Sequence, residues 1–297
     1  MGRLGVVVDG MGAHEQKSWT HRPQFGGPAG FFLANLAILA FSQMSGDQFL
    51  SWGWRVPFWL SLVMVGIGLW IRLGILETPI FQQVIADERV ARAPVAEVLK
   101  RQPKEIILTA VARMGQMAPV YVYNAFVFTY GMRVVGASRD FLLIVLLIGS
   151  FFSFFTIPFS GYLSDRLGRK HIYIFGAAAT GLFAFAYFAM LDTAIPVLII
   201  LATLIAFAFH DLMWGPLAAL TAECFTPRLR YSGASIGFQL AAVFAGGPAP
   251  MIATALLAAT GSGQVIALYI FGSAIVSIAA TAFLPSNRGR DFARDHL

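Results

Sequence analysis

Residues 195–219, IPVLIILATLIAFAFHDLMWGPLAA, decide the fold of this chain. The stretch is apolar around the whole circumference of a helix. It is also long enough to cross a bilayer core of about 30 Å, which needs about 20 helical residues. It lacks the strict apolar–polar alternation of a membrane β-strand. We therefore predict a transmembrane α-helix here.

Seven other runs share these properties, so that eight spans are predicted, at about 24–44, 55–75, 105–130, 140–160, 172–191, 195–219, 233–258 and 264–284. The chain is 58% hydrophobic and 12% charged, with a mean hydropathy of +0.71, whereas soluble proteins carry about 25% charged residues. This composition excludes an ordinary water-soluble domain, and the single cysteine excludes a disulfide scaffold. The prediction is an all-α polytopic membrane protein with eight transmembrane helices.

Lysine and arginine residues are unevenly divided between the two sides of the predicted membrane. If both termini and the loops at 76–104, 161–171 and 223–232 face the cytoplasm, 17 of the 21 basic residues lie on that side. The outer side then holds Arg55, Arg133 and Arg139. Because cytoplasmic loops are enriched in basic residues, we predict a multi-pass protein of the plasma membrane with both termini cytoplasmic.

The long charged connector divides the spans two plus six. The predicted organisation is an atypical N-terminal segment, two spans, a central cytoplasmic loop, a six-span unit and a basic cytoplasmic tail, at 1–23, 24–75, 76–104, 105–284 and 285–297. Residues 25–30 read Phe-Gly-Gly-Pro-Ala-Gly and residues 245–250 read Ala-Gly-Gly-Pro-Ala-Pro. The similarity is typical of parallel repeats in transporters, although Gly/Pro clusters are common in membrane helices and can match by chance.

Four short motifs carry a resemblance to a known family. They are GYLSDRLGRK at 161–170, GWRVPF at 53–58, ETPIF at 77–81 and PRLRYSGAS at 227–235. Together they resemble the metabolite:proton symporter branch of the major facilitator superfamily. The resemblance covers about 24–290 and corresponds to helices five to twelve of a twelve-helix transporter. It implies a partial fold, with two helices of the first bundle and the complete six-helix second bundle.

The resemblance also implies a function. We expect a secondary active transporter of a bacterial inner membrane that carries a small organic acid or zwitterionic metabolite together with protons by alternating access. Such a protein is not an enzyme and needs no cofactor. The alternative is a truncated transporter fragment without transport activity of its own. Its predicted partner is then a missing N-terminal half encoded upstream.

Ionisable and amide side chains inside the spans are the candidates for a substrate and proton path, because each is costly in lipid unless it meets a partner or water. Arg113 lies about 12 Å from the cytoplasmic end of its span, Asp211 about 15 Å and Gln239 about 10 Å, at 1.5 Å per residue. An arginine at this depth favours an anionic substrate. The carboxylate of Asp211 beside His210 is typical of a proton relay.

Two further candidates lie on the helix of Arg113. In some relatives an acidic residue stands three positions after this arginine, but here that position is Gln116, which does not titrate. Asn124 lies farther out on the same helix and could line the path, as could Tyr121 and Tyr123, which are equally typical of an aromatic belt.

Structural interpretations remain open for each of these residues. Arg113 could pair permanently with Asp211, and Asp211 could cap a broken helix before Trp214-Gly215-Pro216. His210 could be a hydrogen-bonded interhelical contact. Gln239 could bind a substrate or join two helices.

The cytoplasmic motif supplies a second group of candidates, a latch at the membrane surface formed by Gly161, Asp165, Arg166, Gly168 and Arg169. Glycines allow helix ends to turn and approach, and Asp165 can pair with either arginine. The two Gly/Pro clusters predict close helix packing at Gly26, Gly27, Pro28, Gly246, Gly247 and Pro248.

The sequence contains no motif for metal binding, phosphate binding or nucleophilic catalysis. There is no H-E-x-x-H or paired-cysteine metal site, no phosphate-binding P-loop and no nucleophile elbow. The basic residues lie in short clusters between apolar runs, so no nucleic-acid surface is expected. An intramembrane enzyme or a channel would need a catalytic dyad or a ring of like polar side chains, and neither pattern is present.

Overall fold

The computed structural model describes residues 26–45, 48–74, 94–226 and 229–285. Within these ranges the chain is helical and contains no β-strand. The predicted N-terminal segment 1–23, the motif at 77–81, Pro227, Arg228 and the tail from 286 onward lie outside the described residues.

Eleven α-helices are described, together with three π-helical turns at Phe49–Gly53, Val122–Phe126 and Ala242–Gly246. The helices are α1 (Gly26–Ser45), α2 (Arg55–Gly74), α3 (Pro94–Arg101), α4 (Pro103–Tyr121), α5 (Val127–Arg133), α6 (Arg139–Leu167), α7 (Arg169–Asp192), α8 (Pro196–Ala222), α9 (Arg230–Ala241), α10 (Ala249–Thr260) and α11 (Gly263–Phe283). The turn at 122–126 joins α4 to α5, and the turn at 242–246 leads from α9 towards α10.

Six helical segments are long and apolar enough to cross a membrane: Ser51–Ile71, Arg139–Leu167, Arg169–Asp192, Pro196–Ala222, Arg230–Thr260 and Gly263–Phe283. A shorter apolar helix covers Gly26–Phe41. The helices thus overlap all eight predicted spans, but the count of eight membrane crossings stays a prediction.

The predicted cytoplasmic loops are shorter in the structure. The end of the predicted loop 76–104 is occupied by α3 and by the start of α4. The predicted loop at 161–171 was wrong, because α6 continues to Leu167 and α7 begins at Arg169. Gly168 alone separates the two helices, and its φ of +103° is a conformation that residues with a Cβ rarely adopt.

The helices from α4 onward form one packed unit around α7 and α8. Helix α8 packs on α6 and α7, and α4 packs on α9 and α11, while α1 lies against α6. The α6–α8 crossing is very close, since a Cβ added to Gly215 would lie 2.7 Å from the backbone nitrogen of Gly161. Small residues at such crossings let membrane helices approach each other.

Helix α2 stands apart from this unit. Its residues 58–71 are exposed, including Trp59, Met64 and Trp70. A helix that is apolar on all sides requires lipid or other helices around it. The exposed apolar side chains of α2 are therefore typical of a membrane-spanning helix and not of a helix at a water-exposed surface.

Candidate functional site

A cavity lies between α1, the junction of α4 with its π-helical turn, α6 and α8. Its empty volume, including the space at its open side, is about 480 Å³. It is lined by Gly27, Pro28, Phe31, Val120, Tyr123, Asn124, Ser150, Ser153, Ile157, Phe207, His210, Asp211 and Trp214. Three of the six predicted path residues thus line the cavity: Asn124, His210 and Asp211.

Asp211 is the acidic residue of this cavity. The Thr156 hydroxyl of α6 donates a hydrogen bond to its Oδ2, and the Ser160 hydroxyl donates to its backbone carbonyl at 2.8 Å. The side chain is buried, at 3% exposure. Because α8 runs unbroken from Pro196 to Ala222, Asp211 lies inside a helix, and its interpretation as the cap of a broken helix was wrong.

His210 connects two helices. Its Nε2 lies 3.0 Å from Nε2 of Gln116 on α4, and its Nδ1 lies 3.6 Å from Oδ1 of Asp211. The ring also lies 6.0 Å from the ring of Trp214, centroid to centroid. The polar path residues of α4 and α8 therefore meet at this contact, as the interhelical interpretation of His210 required.

Arg113 is buried one helical turn before Gln116. Its guanidinium lies over the ring of Phe238 at 4.1 Å, and its Nε makes no hydrogen bond. Across residues 94–226, where both side chains are described, Arg113 forms no ion pair with Asp211, so their permanent pairing was wrong. A buried guanidinium stacked on an aromatic ring is stabilised in part by the cation–π contact.

The backbone beside Arg113 is fixed by two hydroxyls. Tyr173 of α7 donates to the carbonyl of Ala112 at 2.7 Å, and Ser277 of α11 donates to the same oxygen. Three helices therefore meet at the level of the arginine.

The two remaining amide candidates, Asn124 and Gln239, lie at different places relative to the cavity. Asn124 lines the cavity, and its Nδ2 donates to the carbonyl of Val120 at 2.8 Å. Gln239 lies on an exposed part of α9 and does not line the cavity. Tyr123 is buried in the wall and stacks on Tyr187 at 4.8 Å, so it is not an interfacial anchor.

Several cavity residues were not found from the sequence. Trp214 was noted only beside a glycine and a proline, and Ser150 and Ser153 of α6 were not considered. These two serines belong to a series of hydroxyl residues that recur every three to four positions and so lie on one face of α6: Ser150, Ser153, Thr156, Ser160 and Ser164. This periodicity was the available signal.

The motif at 161–170 forms an ionic cluster with Glu223 at the ends of α6, α7 and α8. Arg169 donates to Asp165 through Nε at 3.2 Å and Nη2 at 2.9 Å, and its Nη1 pairs with Glu223. Arg166 instead lies over the ring of Tyr162 at 4.5 Å. Gly161 is not in a turn, because it lies inside α6 at the crossing with Gly215.

The two Gly/Pro clusters each contain one close approach. A Cβ on Gly27 would lie 3.2 Å from the ring of Trp214, and one on Gly246 would lie 2.7 Å from the ring of Tyr121. Gly26 and Gly247 have no other helix within 4 Å of the added Cβ. Pro28 lines the cavity, and Pro248 immediately precedes α10.

Comparison with known proteins identifies the class of this chain. Residues 24–247 match the Major Facilitator Superfamily, and the chain belongs to this family. The resemblance predicted from the four motifs is thereby confirmed. No solved structure matches the chain significantly.

Curated relatives of this chain are transporters and not enzymes. The chain is 35% identical to the "Shikimate transporter" of Escherichia coli (strain K12) over 273 residues, which cover 90% of this chain and 62% of that protein. It is 31% identical to "Inner membrane metabolite transport protein YhjE" of the same strain, covering 87% and 60%. It is 28% identical to the strain's "Proline/betaine transporter", covering 86% and 53%. The chain thus spans about 60% or less of these relatives' length.

Proposed function

We propose that this chain forms the cavity-bearing part of a proton-coupled secondary transporter. It carries a small organic acid or zwitterionic metabolite across a bacterial inner membrane by alternating access. The observation on which this rests is the cavity between α1 and the packed unit of α4 to α11, with the buried carboxylate of Asp211 in its wall. A carboxylate in a membrane cavity is a typical proton carrier.

The proposed substrate carries a negative charge. Arg113 is buried with a free Nε one turn from Gln116, which itself contacts His210 of the cavity wall. An anionic group entering from the cavity could satisfy this guanidinium by charge-assisted hydrogen bonds. The names of the relatives agree with such a substrate, since shikimate is an acid and both proline and betaine are zwitterions.

The proposed membrane arrangement has eight spans. Helices α1 and α2 are the last two helices of a first bundle, and α4 to α11 form the six-span second bundle. With both termini in the cytoplasm, the Asp165–Arg169–Glu223 cluster lies at the cytoplasmic face. We assign it the role of a latch that is closed in this conformation and opens when the cytoplasmic side opens.

Transport in proteoliposomes tests the proposal. Purified chain would be reconstituted and offered radiolabelled shikimate, proline or glycine betaine with an inward proton gradient. A gradient of one pH unit corresponds to about 1.4 kcal/mol, which supports about tenfold accumulation for one proton per substrate. Asp211→Asn should abolish accumulation, because the amide cannot carry a proton.

A matched control removes a carboxylate elsewhere. Glu97→Gln breaks an i,i+4 ion pair with Arg101, whose side chain is 71% exposed, and should accumulate substrate like the wild type. Gradient-driven uptake that Asp211→Asn leaves intact would refute the role of Asp211. Absence of uptake by the wild type for every substrate would favour the alternative, a fragment that needs further membrane helices. The bare apolar surface of α2 is the observation in favour of that alternative.

A further inference from the structure

The contact between Gln116 and His210 restricts where the hydrogen of the imidazole can be. The NH₂ nitrogen of Gln116 faces Nε2 of the ring at 3.0 Å. An amide NH₂ group only donates hydrogen bonds, and a neutral imidazole has one donor nitrogen and one acceptor nitrogen. With the Gln116 amide in this orientation, Nε2 is the acceptor and the ring hydrogen is on Nδ1.

Nδ1 of the ring lies beside the neighbouring carboxylate, at a distance longer than a hydrogen bond. Oδ1 of Asp211 lies 3.6 Å from Nδ1, and Oδ2 of the same group accepts a hydrogen bond from Thr156. Both ring nitrogens of His210 thus have a polar neighbour. The only nitrogen lone pair that can accept a hydrogen bond, that of Nε2, already accepts one from Gln116. An incoming proton finds a free acceptor on Asp211 and not on His210.

Few ionisable groups lie on the helices around His210. Helix α4 brings the guanidinium of Arg113, one turn from Gln116, and Tyr123 in the cavity wall, while α8 itself brings Asp211. Helix α1 has no ionisable residue in its described range. The ionisable residues of α6 lie near its ends, apart from Tyr162. Helix α9 contributes Phe238, whose ring lies against the guanidinium of Arg113. Helix α7 brings Tyr173 and Tyr187, and its charged residues lie at its ends.

We infer that Gln116 is a positioning residue that holds His210 as the neutral Nδ1–H tautomer, so that Asp211 alone binds and releases the coupling proton. The inference rests on the proposed transport function only in assigning this proton a role in driving transport. On protonation one O–H bond forms on the Asp211 carboxylate, on release the same bond breaks, and no other group changes its charge. Gln116 thereby takes part in coupling although it does not titrate.

Nitrogen-15 NMR on the full chain in lipid nanodiscs tests the tautomer directly. With ¹⁵N-labelled histidine, and with His210→Gln to assign the signal, the two ring nitrogens of His210 are distinguished by their shifts and couplings. Near neutral pH we expect a protonated Nδ1 and an unprotonated Nε2. An Nε2–H tautomer or an imidazolium in the wild type would overturn the inference.

Two substitutions separate positioning from simple packing. In Gln116→Glu an ionised carboxylate can only accept hydrogen bonds, so the ring hydrogen should move to Nε2. In Gln116→Leu the partner is lost, and a mixture of tautomers should appear. Gln264→Leu, at the exposed start of α11, is the matched control and should leave the His210 signals unchanged. Unchanged signals in Gln116→Glu would contradict the proposed role even if that variant is fully folded.

The location of the proton is read by infrared difference spectroscopy on acidification. We expect a carboxylic acid C=O band that is absent in Asp211→Asn, with no imidazolium signal from His210 by NMR over the same pH change. Appearance of the imidazolium before the carboxylic acid band would overturn the inference. Neither measurement requires transport, so absence of uptake would refute the proposed function while the spectra still decide the roles of Gln116 and Asp211.

Discussion

The close crossing of α6 and α8 leads to a quantitative prediction for Gly215→Ala. The new Cβ would lie 1.9 Å from Oγ of Ser160, 2.7 Å from the backbone nitrogen of Gly161 and 2.9 Å from the carbonyl oxygen of Ile157. The Ser160 hydroxyl could rotate away, but the two backbone atoms cannot. Ordinary contact begins near 3.4 Å, so the helices must separate by about 0.7 Å.

This separation has a cost in stability. Overpacking at a close crossing costs about 1–3 kcal/mol, and displacing Ser160 from the carbonyl of Asp211 removes a hydrogen bond of about 1 kcal/mol. Alanine regains about 0.5–1 kcal/mol as the better helix former. We expect a net loss of about 1–3 kcal/mol, and hence a melting temperature lower by several degrees for a chain of this size.

Thermal unfolding in detergent, followed by tryptophan fluorescence, measures the effect. Gly272→Ala on α11 is the matched control, because its Cβ would meet no neighbouring atom within 4 Å among the described residues, and its melting temperature should equal or exceed that of the wild type. Ser160→Ala combined with Gly215→Ala should recover only part of the loss, since the backbone contact with Gly161 remains. If Gly215→Ala melts with the control, the close approach of α6 and α8 is incorrect.

Two further predictions concern Cys224 and Arg169, which lie near the ends of α8 and α7. Burial, with Glu223 nearby, raises the pKa of the Cys224 thiol to about 12, so the thiol stays almost entirely protonated at pH 8. Maleimide should label Cys224 only after unfolding in SDS, whereas Thr226→Cys in a Cys224→Ala chain should label at once, and rapid labelling of the folded wild type would contradict the burial. Arg169→Lys loses the forked contact with its two carboxylates and should cost about 1 kcal/mol in the same melting assay, given the partial exposure of the cluster. Arg101→Lys, in an exposed pair, should melt like the wild type, and equal melting of both variants would show that the Arg169 cluster adds no stability.

The sequence predicted the helices better than their ends. Runs such as 195–219 are apolar for more than 20 residues, and this pattern alone specifies a spanning helix. The polar sequence at 161–170 was interpreted as a loop, because charged residues usually mark the water phase. In the structure α6 continues through most of it to Leu167, since the charged side chains pair with each other and with Glu223 beyond the helix ends.

The candidate site was predicted in part. Polar residues inside apolar runs are conspicuous in the sequence, and His210, Asp211 and Asn124 indeed line the cavity. The sequence did not distinguish them from Gln239, which lies on an exposed part of α9. Hydropathy describes each helix separately and contains no information on which helix lies opposite.

The sequence by itself determined the class of this protein. Its long apolar runs require a helical membrane fold because backbone groups in lipid must be hydrogen-bonded within the segment, and its motifs define the family. Only the tertiary structure decided which polar groups meet. Gln116 and His210 are 94 positions apart, and Arg113 is separated from Asp211 although both lie at similar predicted depth. These pairings depend on helix rotation and on close crossings such as that at Gly215, which are set by packing between helices and not by the polarity of any one of them.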